Sequence, residues 1–212
     1  MGREFIELFD EWSSSYDETV AGETQEYKEV FHNYDYILET VVNKSGHAVL
    51  EFGVGTGNLS EKLLSKGKTV IGIEPSKGMR EKALKRNPEL VLHDGDFLSF
   101  PKLDREIDTI VSTYAFHHLT DDEKDEAIGH YSQLLKKDGK IVFADTAFLH
   151  ETEKKERHER VKEQGYFNLL KDLQTEYYTT LDVLDEIFKK HDFDITFEKL
   201  NEYVWLMEAV KK

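Results

Sequence analysis

From Ala48 onward the chain alternates short apolar runs with amphipathic stretches. The runs AVLEF, TVIGI, ELVLHD, DTIVSTY and KIVFADTA are each bounded by turn residues and have the length and branching of buried strands. The stretches between them read as helices, one ending at Ser65, one near Lys77 to Arg86 and one beginning after Leu119. Such alternation predicts a parallel sheet with right-handed crossovers. The last two runs, Ile195 to Leu200 and Tyr203 to Val210, are separated only by Asn201 and Glu202 and read as a hairpin.

Helical spacing extends the pattern on both sides. Phe5, Leu8, Phe9 and Trp12 predict a short amphipathic helix, followed by a polar link containing Tyr16. Tyr27, Val30, Phe31, Tyr34, Leu38 and Val41 predict a second helix over about Gln25 to Val42. Thr120 and Glu123 have capping-box spacing, ahead of inward-facing Ile128, Tyr131, Leu134 and Leu135, and Gly139 suits the helix end. Between the fifth run and the hairpin, Phe148 to Thr180 forms an excursion. Its first half is highly charged, its second carries Phe167, Leu170 and Leu173 at helical spacing, and Thr180 is placed to cap the helix after it. Ligands bind at the carboxyl ends of strands in open α/β sheets, so this excursion is a candidate lid over a cleft. A pair of solvated helices is the competing reading.

The stretch VLEFGVGTGNLS, Val49 to Ser60, is the chemical signal. An apolar run meets Gly53, Gly55 and Gly57 and passes directly into a helix. Glycine tolerates positive φ and lets a ligand lie against the backbone, and free amides at a helix start favour polar or anionic groups. Asn58 stands where the dinucleotide fingerprint wants its last glycine, which counts against a nicotinamide-dependent oxidoreductase. The next run ends in Glu74, about twenty residues on, where doubly wound folds set an acid against ribose hydroxyls.

With the loop and that acid in register, the chain resembles the class I S-adenosylmethionine-dependent methyltransferases, whose first motif has the form E/D-x-G-x-G-x-G. HDGDF (His93 to Phe97) and STYAFHHL (Ser112 to Leu119) extend the match, and with the N-terminal WSSSYDETV the whole resembles the bacterial methyltransferases called YrrT. The resemblance implies one α/β domain over 1–212 with a Rossmann-like seven-stranded sheet, a C-terminal antiparallel hairpin and a small helical cap, residues 1–45 lying over the cleft. It implies S-adenosyl-L-methionine as cofactor. Gly53, Gly55 and Gly57 approach its amino-acid part, Glu51 orients the loop or accepts from the ammonium, and Glu74 takes the ribose diol. Asp96 accepts from the adenine amino group with Phe97 beside the ring, Ser112 follows the fourth strand near the transferable methyl, and Tyr16 lines the pocket. Each has a structural alternative: Glu74 as a helix cap, Asp96 as a turn residue, Tyr16 as a packing aromatic.

In-line methyl transfer needs mainly alignment, so catalytic residues are less legible than cofactor residues. His117 is open as a general base, and His118 reads as support. His117, His118, His150 and His158 lie near acids without H-E-x-x-H or carboxylate-loop spacing, so no obligatory metal is expected.

Composition narrows the partners. Across 212 residues, 43 Asp and Glu against 28 Lys and Arg give a charge of -15, which repels nucleic acid and anionic membranes at long range. There are no cysteines, which excludes disulfides and thiolate chemistry and fits a reducing compartment. No apolar run is long enough to span a bilayer and no targeting peptide is evident, so the expectation is a cytoplasmic enzyme with a small-molecule acceptor. The alternative is a non-catalytic module that binds S-adenosylmethionine or S-adenosylhomocysteine and engages a protein partner.

Overall fold

A computed structural model describes residues 19–20 and 24–212. The helix expected over the first dozen residues, and Tyr16, lie outside them. Seven strands form one sheet in the order β3-β2-β1-β4-β5-β7-β6. They are β1 (Ala48–Phe52), β2 (Thr69–Ile73), β3 (Val91–His93), β4 (Thr109–Thr113), β5 (Lys140–Thr146), β6 (Phe193–Lys199) and β7 (Val204–Lys211). The first five run parallel; β7 inserts antiparallel between β5 and β6, with Thr146 opposite Val204 and Lys199 opposite Trp205.

Both faces of the sheet are covered, which is why the inner strands are apolar throughout. Along β1 the side chains alternate between two cores: Val49 packs with Ile37, Leu38, Val41 and Leu63, whereas Leu50 and Phe52 pack with Ile128, Tyr131, Leu184 and Phe188. The helices supplying these faces are α1 (Tyr34–Lys44), α2 (Asn58–Ser65), α3 (Lys77–Arg86), α4 (Asp121–Leu134), α5 (Glu151–Glu163), α6 (Phe167–Thr175) and α7 (Leu181–Lys190). No helix among the described residues is long and apolar enough to cross a membrane. Strand order reverses between β1 and β4, so a crevice opens beyond their carboxyl ends, where such folds hold ligands.

Several local expectations need correction. Helix α1 starts at Tyr34, not Gln25, because Asn33 is left-handed at φ +61° and residues 25–27 form only a single 3-10 turn. Tertiary contacts hold that segment elsewhere: Glu26 accepts from the amides of Asn168 and Leu169 at the start of α6, and Asn201 in the hairpin donates to the carbonyls of Val30 and His32. The capping box of Thr120 and Glu123 is present, but Leu134 is exposed and Gly139 lies in a later turn, since α4 ends at Leu134 with Leu135 already extended. In α6 the inward residues are Leu169 and Leu173, and Phe167 is exposed. Thr180 precedes α7 but its hydroxyl makes no capping bond; its backbone bridges to Phe148 instead.

Candidate active site

The glycine turn is built by three residues with three separate constraints. All have positive φ: +65° at Gly53, +57° at Gly55 and +87° at Gly57. A Cβ on Gly53 would lie 2.5 Å from Ala115 Cβ, and one on Gly57 would lie 2.7 Å from Asn87, whose side chain donates to the Gly57 carbonyl. Those two let neighbouring elements pack. Gly55 differs, because nothing lies within 4 Å of where its Cβ would be. Its open face leaves a cradle that a ligand would fit.

Carboxylates brace the turn. Glu74 is buried, and its two oxygens accept from the amides of Gly55 at 2.9 Å and Ser76 at 2.8 Å. The acid predicted from spacing therefore faces the bend, and the helix cap is Ser76, whose hydroxyl accepts from Met79. Glu51 is buried and accepts from the Ser60 hydroxyl at 2.5 Å; Ser60, at the start of α2, was not singled out in the sequence because a single serine carries no pattern. Burial, opposed by the Ser60 bond and aided by the charge of Glu74, pushes the Glu51 carboxyl up to about 8.

The other cofactor candidates are placed unequally. Asp96 accepts the amides of Leu98 and Ser99 through one oxygen, so it does hold a turn. The Phe97 ring is buried between Phe52 and Phe116, at centroid distances of 5.3 and 5.6 Å. Ser112 is buried beside the glycine turn, and its hydroxyl has no hydrogen-bond partner among the described residues. An orphaned hydroxyl next to an open cradle fits a ligand with polar groups, and the amino-acid end of S-adenosylmethionine has them.

Next to the turn, across the β4 exit, lies a second space. Tyr114, left-handed at φ +53°, contributes to a cavity of about 80 Å³ together with Tyr27, His117, Asp172, Glu176 and Tyr178. The excursion forms its far wall and is stapled there. Tyr177 donates its amide to the His117 carbonyl, and buried Lys124 donates to the carbonyls of Leu119 and Tyr177. Glu176, Asp172 and Tyr178 were missed in the sequence, because only the return of the excursion brings them to the β4 exit.

His117 is held on both ring nitrogens. Nδ1 lies 2.6 Å from Asp145 and Nε2 3.3 Å from Glu176, while Tyr178 stacks on the ring with centroids 4.6 Å apart. Burial disfavours the imidazolium, yet Asp145 and Glu176 outweigh it and push His117 up to about 10. Glu176, despite its own burial, is held down to about 2 by His117. Held between two carboxylates, the ring has its protonated form favoured, which works against a role as general base. His118, by contrast, is driven down to about 3 by burial and by the charge of His117, so it stays neutral. The ligand-capable atoms of His117, His118 and Glu176 lie within 4.8 Å of one another, a convergence the spacing did not foretell. A cation there must first displace the proton that His117 shares with its acids.

A glycine turn at the β1 exit, a facing acid from β2 and a reversed final strand define the class I methyltransferase arrangement. Residues 49–139 match the methyltransferase domain family. A protein of Geobacillus sp. strain WCH70 named an uncharacterized methyltransferase is 59% identical over 213 residues, covering 100% of both chains, and one from Bacillus cereus is 58% identical over 100% of both. The chain belongs to the class I S-adenosylmethionine-dependent methyltransferases, and S-adenosylmethionine is its cofactor. Among solved structures, magnesium protoporphyrin IX methyltransferase from Synechocystis with bound S-adenosylhomocysteine superposes with a TM-score of 0.74 at 18% identity, covering 100% of both chains. A possible histamine N-methyltransferase from Thermotoga maritima gives 0.70 at 17% identity, covering 98% of this chain and 100% of that one. At such identities the likeness is one of fold.

Proposed function

We propose that the protein transfers a methyl group to a small molecule seated in the cavity behind Tyr114. What carries the reading is adjacency: Gly53 abuts Ala115, and the neighbouring Tyr114 lines a partly open cavity of about 80 Å³. A space of this size suits one modest head group. In this reading the open face of Gly55 and the Ser112 hydroxyl receive the amino-acid end of the cofactor, Glu51 steadies the loop and its ammonium, and the Glu74 carboxylate takes ribose hydroxyls. Asp96 and Phe97 border the adenine end.

The cofactor supplies a methyl carbon already activated by a positive sulfur. This chain's residues then bind, align and exclude water, the contributions that proximity makes largest, roughly 7 to 11 kcal/mol of barrier. The excursion serves as a fixed wall of the acceptor space rather than a hinged cover, and His117 shapes that wall. The acidic, cysteine-free composition fits action in the cytoplasm on a partner that is not nucleic acid.

Titration with S-adenosylhomocysteine followed by transfer of labelled methyl to a panel of small acceptors tests the reading. Binding with turnover is the expected result. Binding without turnover on any member would instead favour the module that senses the cofactor and engages a protein partner.

A further inference from the structure

Resting on the small-molecule reading above, we infer that the acceptor is an amine that enters as its ammonium form, received by Asp172 and Glu176 among the rings of Tyr27, Tyr114 and Tyr178. The cavity has an aromatic lining and an excess of acid. Asp172 and Glu176 both face it, and neither lysine nor arginine is among its described lining residues. Its cation, His117, is matched by Asp145 on its other nitrogen, so the cluster of Asp145, His117, Glu176 and Asp172 keeps negative charge to spare. Electron-rich aromatic faces beside unspent carboxylate charge are what a desolvated ammonium group binds. A carboxylate or phosphate acceptor would be repelled by the same groups.

The two acids have separable parts. Glu176 is committed to His117 and to the hydroxyl of Tyr178, so it is a fixed charge. Asp172 accepts the Tyr27 hydroxyl, is half-buried, and is shifted upward by burial, which makes it the better proton acceptor. The ammonium R–NH3+ passes one proton to the Asp172 carboxylate and becomes R–NH2. Its nitrogen lone pair forms the N–CH3 bond while the C–S bond breaks, the bonding pair staying on sulfur to give the neutral thioether. The product R–NH2–CH3+ is again a cation and leaves through the same acidic mouth as the Asp172 proton returns to water.

The test uses the full chain with S-adenosylhomocysteine or S-adenosylmethionine and matched probes: phenethylamine, 2-phenylethanol, 2-phenylethanethiol and 3-phenylpropanoate, with a butyl series of the same four groups. Amines are expected to bind the S-adenosylhomocysteine complex at least tenfold more tightly than their isosteres, and mass spectrometry is expected to find N-methyl product. Asp172→Asn should raise KM for the amine at least tenfold while the S-adenosylhomocysteine Kd stays within twofold. Glu176→Gln, checked for fold by circular dichroism, should do the same. Turnover of a thiol or alcohol with the amines inert would overturn the amine inference and leave the small-molecule reading standing. Bound S-adenosylhomocysteine with no probe bound or methylated would overturn both.

Discussion

The carboxylate of Glu74 accepts the amide of Gly55 at 2.9 Å, tying the tip of β2 to the middle of the turn after β1. The acid and the glycine are thus one device, in which the acid sets the path of the backbone through the turn. Glu74→Ala strips two amides, the part-buried one of Gly55 and the buried one of Ser76, of their acceptor. Each bond to a charged group is worth about 1.5 to 3 kcal/mol, so the S-adenosylhomocysteine Kd is expected to rise tenfold or more. Calorimetric titration of the variant checks this; an unchanged Kd would separate the clamp from the ligand.

Gly55→Val separates strain from obstruction. In the folded protein nothing lies within 4 Å of the new Cβ, so the main cost in stability is the left-handed backbone, roughly 1 to 2 kcal/mol. Cofactor binding is expected to fall much further, since the branched side chain fills the cradle. A thermal melt beside a binding isotherm reads both, and normal binding by a folded variant would refute contact at this turn.

Glu51 predicts a proton linked to binding. With its carboxyl pushed up to about 8, most of it is protonated at pH 7. If the ligand's ammonium lies against it, ionisation becomes favourable and a proton is released. The enthalpy of S-adenosylhomocysteine binding is then expected to differ between phosphate and Tris buffers, and Glu51→Gln is expected to remove Glu51's share of the difference.

Stability should fall from mildly acidic to alkaline pH for two reasons. Between about 4.5 and 8 the unfolded chain has released the Glu51 proton while the folded chain keeps it, so raising pH favours unfolding. The His117 contribution is complete below its ordinary 6.5 and is lost as pH passes about 10, while that of Glu176 is complete above 4.5 and is lost as pH falls through about 2. Urea unfolding across pH 5 to 10 is expected to decline, with Glu51→Gln flattening only the lower part. His117→Gln, which strands Asp145 and Glu176 as buried acids, is expected to cost about 3 to 5 kcal/mol.

Activity is expected to survive excess EDTA, because the one convergent His and Glu cluster among the described residues is already neutralised by a proton. Loss of turnover that a divalent ion restores would assign His117, His118 and Glu176 to a metal.

Much of this protein is written locally. The order of strands and helices from Ala48 to Asp145, the glycine turn, Glu74 and the capping box of Thr120 depend on neighbours a few residues apart, and these were legible as spacing. The rest depended on partners far along the chain. Asn33 stops α1 while Glu26, Tyr27 and Val30 are held by Asn168, Asp172 and Asn201, none of which leaves a periodic mark on the sequence. The inward face of α6 and the acids of the cavity behind Tyr114 follow from that docking.

By itself the sequence determined the α/β alternation and the glycine turn, because apolar period and glycine placement act over a few residues. The tertiary structure alone decided that His117 lies between Asp145 and Glu176 and that Asp172 shares a cavity with Tyr114. Charge state and cavity shape arise from burial and from contacts between segments distant in the chain, and burial exists only once the chain has closed on itself.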